Sequence, residues 1–192
     1  RDFRGSQEGT VSGMAGIVRD WRVELVTAYA DLFPVGDSPA VEGWPEVGEG
    51  WRDLLERACA RIRAAVEADG GTFHATQIKE KYATLRFYFD GTLSPEAKAK
   101  VEEAIDLAEA RSACTCDVFG EPGRLYGTSW LMTRCAEHAE GRSPVGFQPE
   151  FENVHIEERY VGNQRIVRCR RYDRETDSFA DVDPGSLGIE EE

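Results

Sequence analysis

The run Cys116-Asp117-Val118-Phe119-Gly120-Glu121-Pro122-Gly123, followed by Cys135-Ala136-Glu137-His138, constrains this chain more than any other stretch. Two ligand pairs at x2 spacing, joined by a loop, close tetrahedrally around zinc, and a glycine turn belongs after the first pair. Here the second pair is intact, but Phe119 stands where the second thiolate belongs. Two forms follow. In one, Cys116, Cys135 and His138 hold zinc, with Cys114 or water as the fourth ligand. In the other the knuckle holds no metal, and Phe119 fills the hole by packing on Leu125, Trp130 or Leu131, a burial worth about 2 kcal/mol. The missing thiolate favours the metal-free form. In either form the knuckle is expected to act as scaffold for a binding surface, with zinc as the sole cofactor in question.

Around the knuckle, hydrophobic spacing predicts helices and hairpins. Ile17, Trp21, Leu25, Ala28, Tyr29 and Leu32 recur at helical intervals, and Pro34 and Gly36 end that run. Trp51, Leu54, Leu55, Cys59, Ile62 and Val66 form the stripe of a second helix stopped at Gly70-Gly71. Cys59 lies within that stripe and reads as a small core residue. A hairpin follows, Thr72 to Lys79 and Thr84 to Phe89, in which Leu85, Phe87 and Phe89 face a core. Its other face carries Lys79, Lys81, Arg86 and Tyr88, the candidate recognition surface. Ser94 caps a third helix with Pro95 in its first turn and Ala97, Val101, Ala104, Ile105 and Ala108 along its stripe. Val154 to Val161 and Gln164 to Arg171 flank Gly162-Asn163, a two-residue hairpin turn.

These elements predict an α+β fold, with three helices packed on small antiparallel sheets or hairpins and a degenerate zinc-ribbon-like knuckle. Residues 1–13 read as a leader or an appended remnant. Residues 14–148 read as the module, with the knuckle at 112–140. Residues 149–172 read as a C-terminal hairpin and 173–192 as an acidic tail that contributes little to the core. The arginines of the last strand, Arg165, Arg168, Arg170 and Arg171, are expected to pair internally with the hairpin's glutamates or with the tail.

Gln77 through Tyr88, Gly50-Trp51, the helix from Ser94 and Cys116 through His138 occur in an order and spacing that resemble a family of uncharacterised small bacterial and phage proteins. That family joins a Gly-Trp before a helix, a hairpin rich in Lys, Glu and aromatics, a further helix, and a knuckle with C-x2-C and C-x2-H pairs. The resemblance covers about residues 44–140. It implies an α+β module with a zinc-ribbon-like end and no particular activity. This chain departs from the pattern at Phe119 and at Tyr82-Ala83, where the family prefers an aromatic followed by Gly.

Charge narrows the partners. The chain of 192 residues carries 36 acidic and 23 basic residues, a net charge of −13, and eight of the acids lie within 173–192. Such a field repels phosphate backbones and suits a basic protein partner. The five cysteines lack the density of a secreted disulfide scaffold, and no stretch approaches membrane-spanning length, so the expected setting is cytoplasmic, without a membrane partner. No phosphate loop, nucleophile elbow or dinucleotide fingerprint occurs. The expected function is a non-enzymatic binding protein, of the inhibitor or immunity type or a phage-encoded modulator of a macromolecular partner. The alternatives are a nucleic-acid-associated zinc-knuckle module and, more remotely, a zinc-dependent hydrolase. The sequence leaves the oligomeric state open.

Overall fold

The structure, a computed structural model, describes residues 20–34, 39–146 and 148–189. The proposed leader, residues 1–13, lies outside the described residues.

The fold is α+β. Helix α1 (Trp21–Ala28) starts where the Asp20 carboxylate accepts the Arg22 N–H at 2.9 Å, and it buries Trp21, Leu25 and Val26. The helix ends at Ala28, short of the Leu32 that the stripe includes, and Ile17 lies outside the described residues. Leu32 still reaches the core from the turn that follows, where its carbonyl accepts the Ala75 N–H. A two-residue strand β1 (Pro45–Glu46) and a single 3-10 turn, Glu49–Trp51, lead into α2 (Arg52–Asp69). Gly70, in the left-handed region, closes α2 by donating to the Val66 carbonyl at 2.9 Å.

Strands β2 (Thr72–Lys81) and β3 (Thr84–Thr92) form the expected hairpin, with β1 added in parallel along β2. Leu85 and Phe87 point into the core while Arg86 and Tyr88 face outward. Helix α3 (Pro95–Ser112) is capped by the Ser94 hydroxyl, which accepts the Ala97 N–H at 3.2 Å. The stripes of α1, α2 and α3 and the inner face of β2 and β3 share one core. Within it Leu55, Ile62, Ile78, Leu85 and Val101 are fully buried, so truncating any of the four Leu and Ile side chains to Ala costs about 2–5 kcal/mol. No helix among the described residues is long and apolar enough to cross a membrane.

The C-terminal third departs from expectation. Strands β6 (Val154–Val161) and β7 (Gln164–Asp173) pair around Gly162-Asn163, and a further strand, β8 (Ser178–Val182), pairs with β7, which therefore runs down the middle of a three-stranded sheet. Residues 173–189 are thus part of the fold rather than a loosely attached tail. Tyr172 packs on Leu107, Ala110 and Cys114, joined by Phe179, while Leu187 packs on Val167 and Cys169 from the opposite side. The buried anchor is Asp177. Its carboxylate accepts the Tyr172 hydroxyl at 2.6 Å and Arg61 at 2.8 Å, with Arg57 and Arg111 within 4 Å. Acid density masks this strand in the sequence, because the matching cations lie more than sixty residues upstream on α2 and α3.

The arginines of β7 pair internally. Arg170, with 1% of its surface exposed, bridges Glu103 and Asp106 of α3 to Glu157 of β6, and stacks on Phe179. Arg165 pairs with Glu158, Arg168 with Asp181, and Arg171 donates to the Glu150 and Glu152 carbonyls.

Candidate metal centre

Cys116 follows the end of α3 and opens a tight turn. Its carbonyl accepts the Gly120 N–H at 2.8 Å, and Gly120 adopts φ 75°, a conformation that costs a β-carbon dearly. Strands β4 (Arg124–Tyr126) and β5 (Met132–Arg134) form a short hairpin, and a 3-10 turn, Ala136–His138, folds His138 back over it. The Sγ atoms of Cys116 and Cys135 and Nδ1 of His138 then lie within 4.8 Å of one another. His138 Nδ1 is 3.1 Å from Cys135 Sγ and 3.7 Å from Cys116 Sγ.

The local electrostatics suit a thiolate. Burial pushes the Cys116 thiol up, but hydrogen bonds from the backbone N–H groups of Cys135, Phe119 and Val118 outweigh it and hold the thiol below its usual value. Two thiolates and one imidazole, with N–H donors already aimed at the buried sulfur, form a donor set that fits zinc.

Two expectations about this site need correction. Cys114 is not drawn into the cluster. It sits in the turn just past the end of α3, where its thiol donates to the Arg111 carbonyl at 3.4 Å and packs among Leu107, Ala110 and Tyr172. Burial raises its thiol, the opposite of what a ligand needs. Phe119 does not fill the centre either. The left-handed Gly120 beside it turns the chain outward, leaving Phe119 63% exposed with its ring edge-on to His138 at 4.1 Å and 79°.

The Gly-Trp pair is explained by how α2 meets the knuckle. A β-carbon on Gly50 would run into the Cys116 carbonyl oxygen, and the Gly50 N–H donates to the Asp117 carbonyl at 2.9 Å. The buried Trp51 donates its indole N–H to the Thr115 carbonyl at 2.9 Å. The β2–β3 turn grips the opposite side. Tyr82 and Ala83 both hold positive φ, as a two-residue hairpin turn requires, and the Ala83 carbonyl accepts the Thr133 hydroxyl at 2.8 Å. Ser112 ties the end of α3 to the same hairpin by accepting the Leu85 N–H at 2.8 Å. The knuckle is therefore clamped to the core from three sides.

The candidate recognition residues separate. Lys79 lies opposite Arg86 in register and has its Nζ 5.9 Å from the Tyr88 ring; Lys81 lies over Tyr82 at 5.3 Å. Arg86 turns away to pair with Glu109 of α3 and to donate to the Thr84 hydroxyl at 2.7 Å. Lys79 and Tyr88 thus remain a shared surface, while Arg86 is structural.

Sequence reasoning missed two further groupings. A cleft of about 480 Å³ opens between the knuckle, the β2–β3 turn and the segment before α2, with Trp130 on its wall. The only sequence signal for it is a lone Trp after the polar turn residues Gly127-Thr128-Ser129. Asp106, His155 and Glu157 also place ligand atoms within 4.8 Å of one another, but Arg170 already binds both carboxylates, so this cluster is a bridge between the second sheet and α3.

Comparison of the chain with protein-family models, with curated proteins and with solved structures finds no match.

Proposed function

We propose that this protein is a non-enzymatic binding module, in which Cys116, Cys135 and His138 close a zinc knuckle that presents a docking surface to a protein partner. The observation that carries the reading is the convergence of the three donor atoms while Phe119 stays outside them. Zinc bound there would supply a crosslink between the turn after α3 and the β4–β5 hairpin, a structural role that couples metal to local folding.

What the crosslink holds in place is apolar and exposed. Val118, Phe119 and Trp130 keep 36%, 63% and 66% of their surfaces, and Tyr82 on the adjoining turn keeps 72%. Aromatic side chains kept in water on a braced scaffold are the usual anchors of protein interfaces. Five free cysteines suit a reducing, cytoplasmic setting.

Affinity purification from the native host tests the reading. The intact chain should recover a protein partner that His138→Ala, still folded by circular dichroism, does not. Equal recovery by both, or turnover of a substrate that depends on the metal, would overturn it.

A further inference from the structure

The cleft beside the knuckle is walled by one exposed indole and two carboxylates, Glu46 and Glu80, that make no ion pair among the described residues, although Lys79 lies opposite Glu46 in register. Glu80 uses one oxygen to accept the Ala83 N–H. The cations on the same walls are already engaged. Arg22 donates to the Pro45 carbonyl at 2.9 Å, to the Val47 carbonyl and to Asp20. Arg134 pairs with Asp117 and lies 3.9 Å from Glu140. The surplus is negative, and it sits beside Trp130.

We infer that this cleft receives an arginine side chain from an extended segment of a basic protein partner. A planar guanidinium stacks on an indole face while its N–H fork reaches carboxylates, and it is more weakly hydrated than an ammonium, so it gives up water more readily. The net charge of −13 steers such a segment toward the chain before contact. The inference rests on the binding-module reading and names the chemistry of its partner.

Trp130 supplies its own reporter. Trp21, Trp44 and Trp51 are at most 9% exposed against 66% for Trp130, so acrylamide quenching of the native protein reads Trp130. The probe is an acetylated, amidated Gly-Arg-Arg-Gly peptide, set against the same peptide with Lys or with Glu in place of Arg. The Arg peptide should protect Trp130 saturably, the Lys peptide less, and the Glu peptide not at all. Glu80→Gln or Glu46→Gln should weaken binding roughly fivefold, about what one half-exposed ion pair is worth. Glu102→Gln, on α3 toward the far end of the hairpin, should leave it unchanged. Trp130→Ala, followed by calorimetry, should abolish it, and its exposure means the fold should survive the change.

Equal loss in Glu102→Gln would show attraction to net charge alone and overturn the inference, as would unchanged binding in Trp130→Ala. Protection by a deca-thymidine oligonucleotide but not by the peptide would overturn it in favour of nucleic acid. Failure here while His138→Ala still loses the native partner would sink the arginine site and leave the binding module standing. Peptide binding with no partner lost in His138→Ala would do the reverse.

Discussion

Asp177→Asn isolates the buried charge that anchors the C-terminal sheet. The residue is 7% exposed at φ 52°, and asparagine tolerates that left-handed conformation, so the exchange removes charge without adding backbone strain. What is lost is a charge-assisted bond from the Tyr172 hydroxyl at 2.6 Å and the attraction of Arg61 at 2.8 Å, with weaker contributions from Arg57 and Arg111. A hydrogen bond to a charged group is worth about 1.5–3 kcal/mol, against about 1 kcal/mol for a neutral one. Arg57 and Arg61 keep 45% and 39% of their side chains in water, so solvent screens their share. The expected loss is about 2 kcal/mol, a fall in Tm of roughly 4–8 °C for a chain of this size. Asp177→Ala should lose about 1 kcal/mol more, because alanine pays for the positive φ.

The pH dependence has a definite sign. Burial pushes the Asp177 carboxyl up, but the Tyr172 hydroxyl and Arg61 outweigh it and hold it below the ordinary carboxylate value. A carboxyl depressed in the folded state contributes stability above its unfolded value of about 3.9, and that stability is lost as pH falls through the lower folded value. Urea unfolding should therefore show a gap between native chain and Asp177→Asn that is constant above about pH 5 and narrows below about pH 4. A loss under about 0.5 kcal/mol, or a gap that widens in acid, would refute the argument that Asp177 anchors the sheet as a buried anion.

Other outcomes follow from the same structure. Gly50→Ala forces a β-carbon into the Cys116 carbonyl, so it should cost about 1–3 kcal/mol in thermal unfolding and raise hydrogen exchange across 114–121; an unchanged Tm would mean that the knuckle does not lean on α2. Tyr82→Asn keeps the positive φ with a residue suited to it and sacrifices little, since Tyr82 is 72% exposed, so stability should rise by about 0.5 kcal/mol. In zinc-free native protein, iodoacetamide at pH 8 should label the half-buried Cys135 well before the fully buried Cys59, whose thiol burial pushes up to about 12; mass spectrometry showing Cys59 among the first sites would contradict its core placement.

What the sequence makes legible is what local physics decides. The apolar stripes, the Gly70 stop, the Ser94 cap and both hairpins follow from spacing and turn chemistry within a few residues. The knuckle's three donors are equally local, because x2 spacing and a glycine turn fix their directions. Cys114 misled because adjacency in sequence says nothing of direction: in the turn that closes α3 its thiol points back toward the Ala110 and Arg111 carbonyls of the helix end. Phe119 misled because the conformation of Gly120, rather than apolarity, decides which way the turn faces. Asp177, Arg86 and Arg170 each depend on a partner on α2 or α3 that lies 23 to 120 residues away, and no local pattern announces such a meeting.

The central claim is that Cys116, Cys135 and His138, without Cys114, close the knuckle on zinc. Elemental analysis of protein purified without a histidine tag tests it most directly, run on the native chain beside Cys114→Ser and Cys135→Ser. The native chain and Cys114→Ser should each carry one zinc per chain, and Cys135→Ser should carry none. Zinc lost from Cys114→Ser but kept by Cys135→Ser, or no zinc in the native chain, would contradict the account.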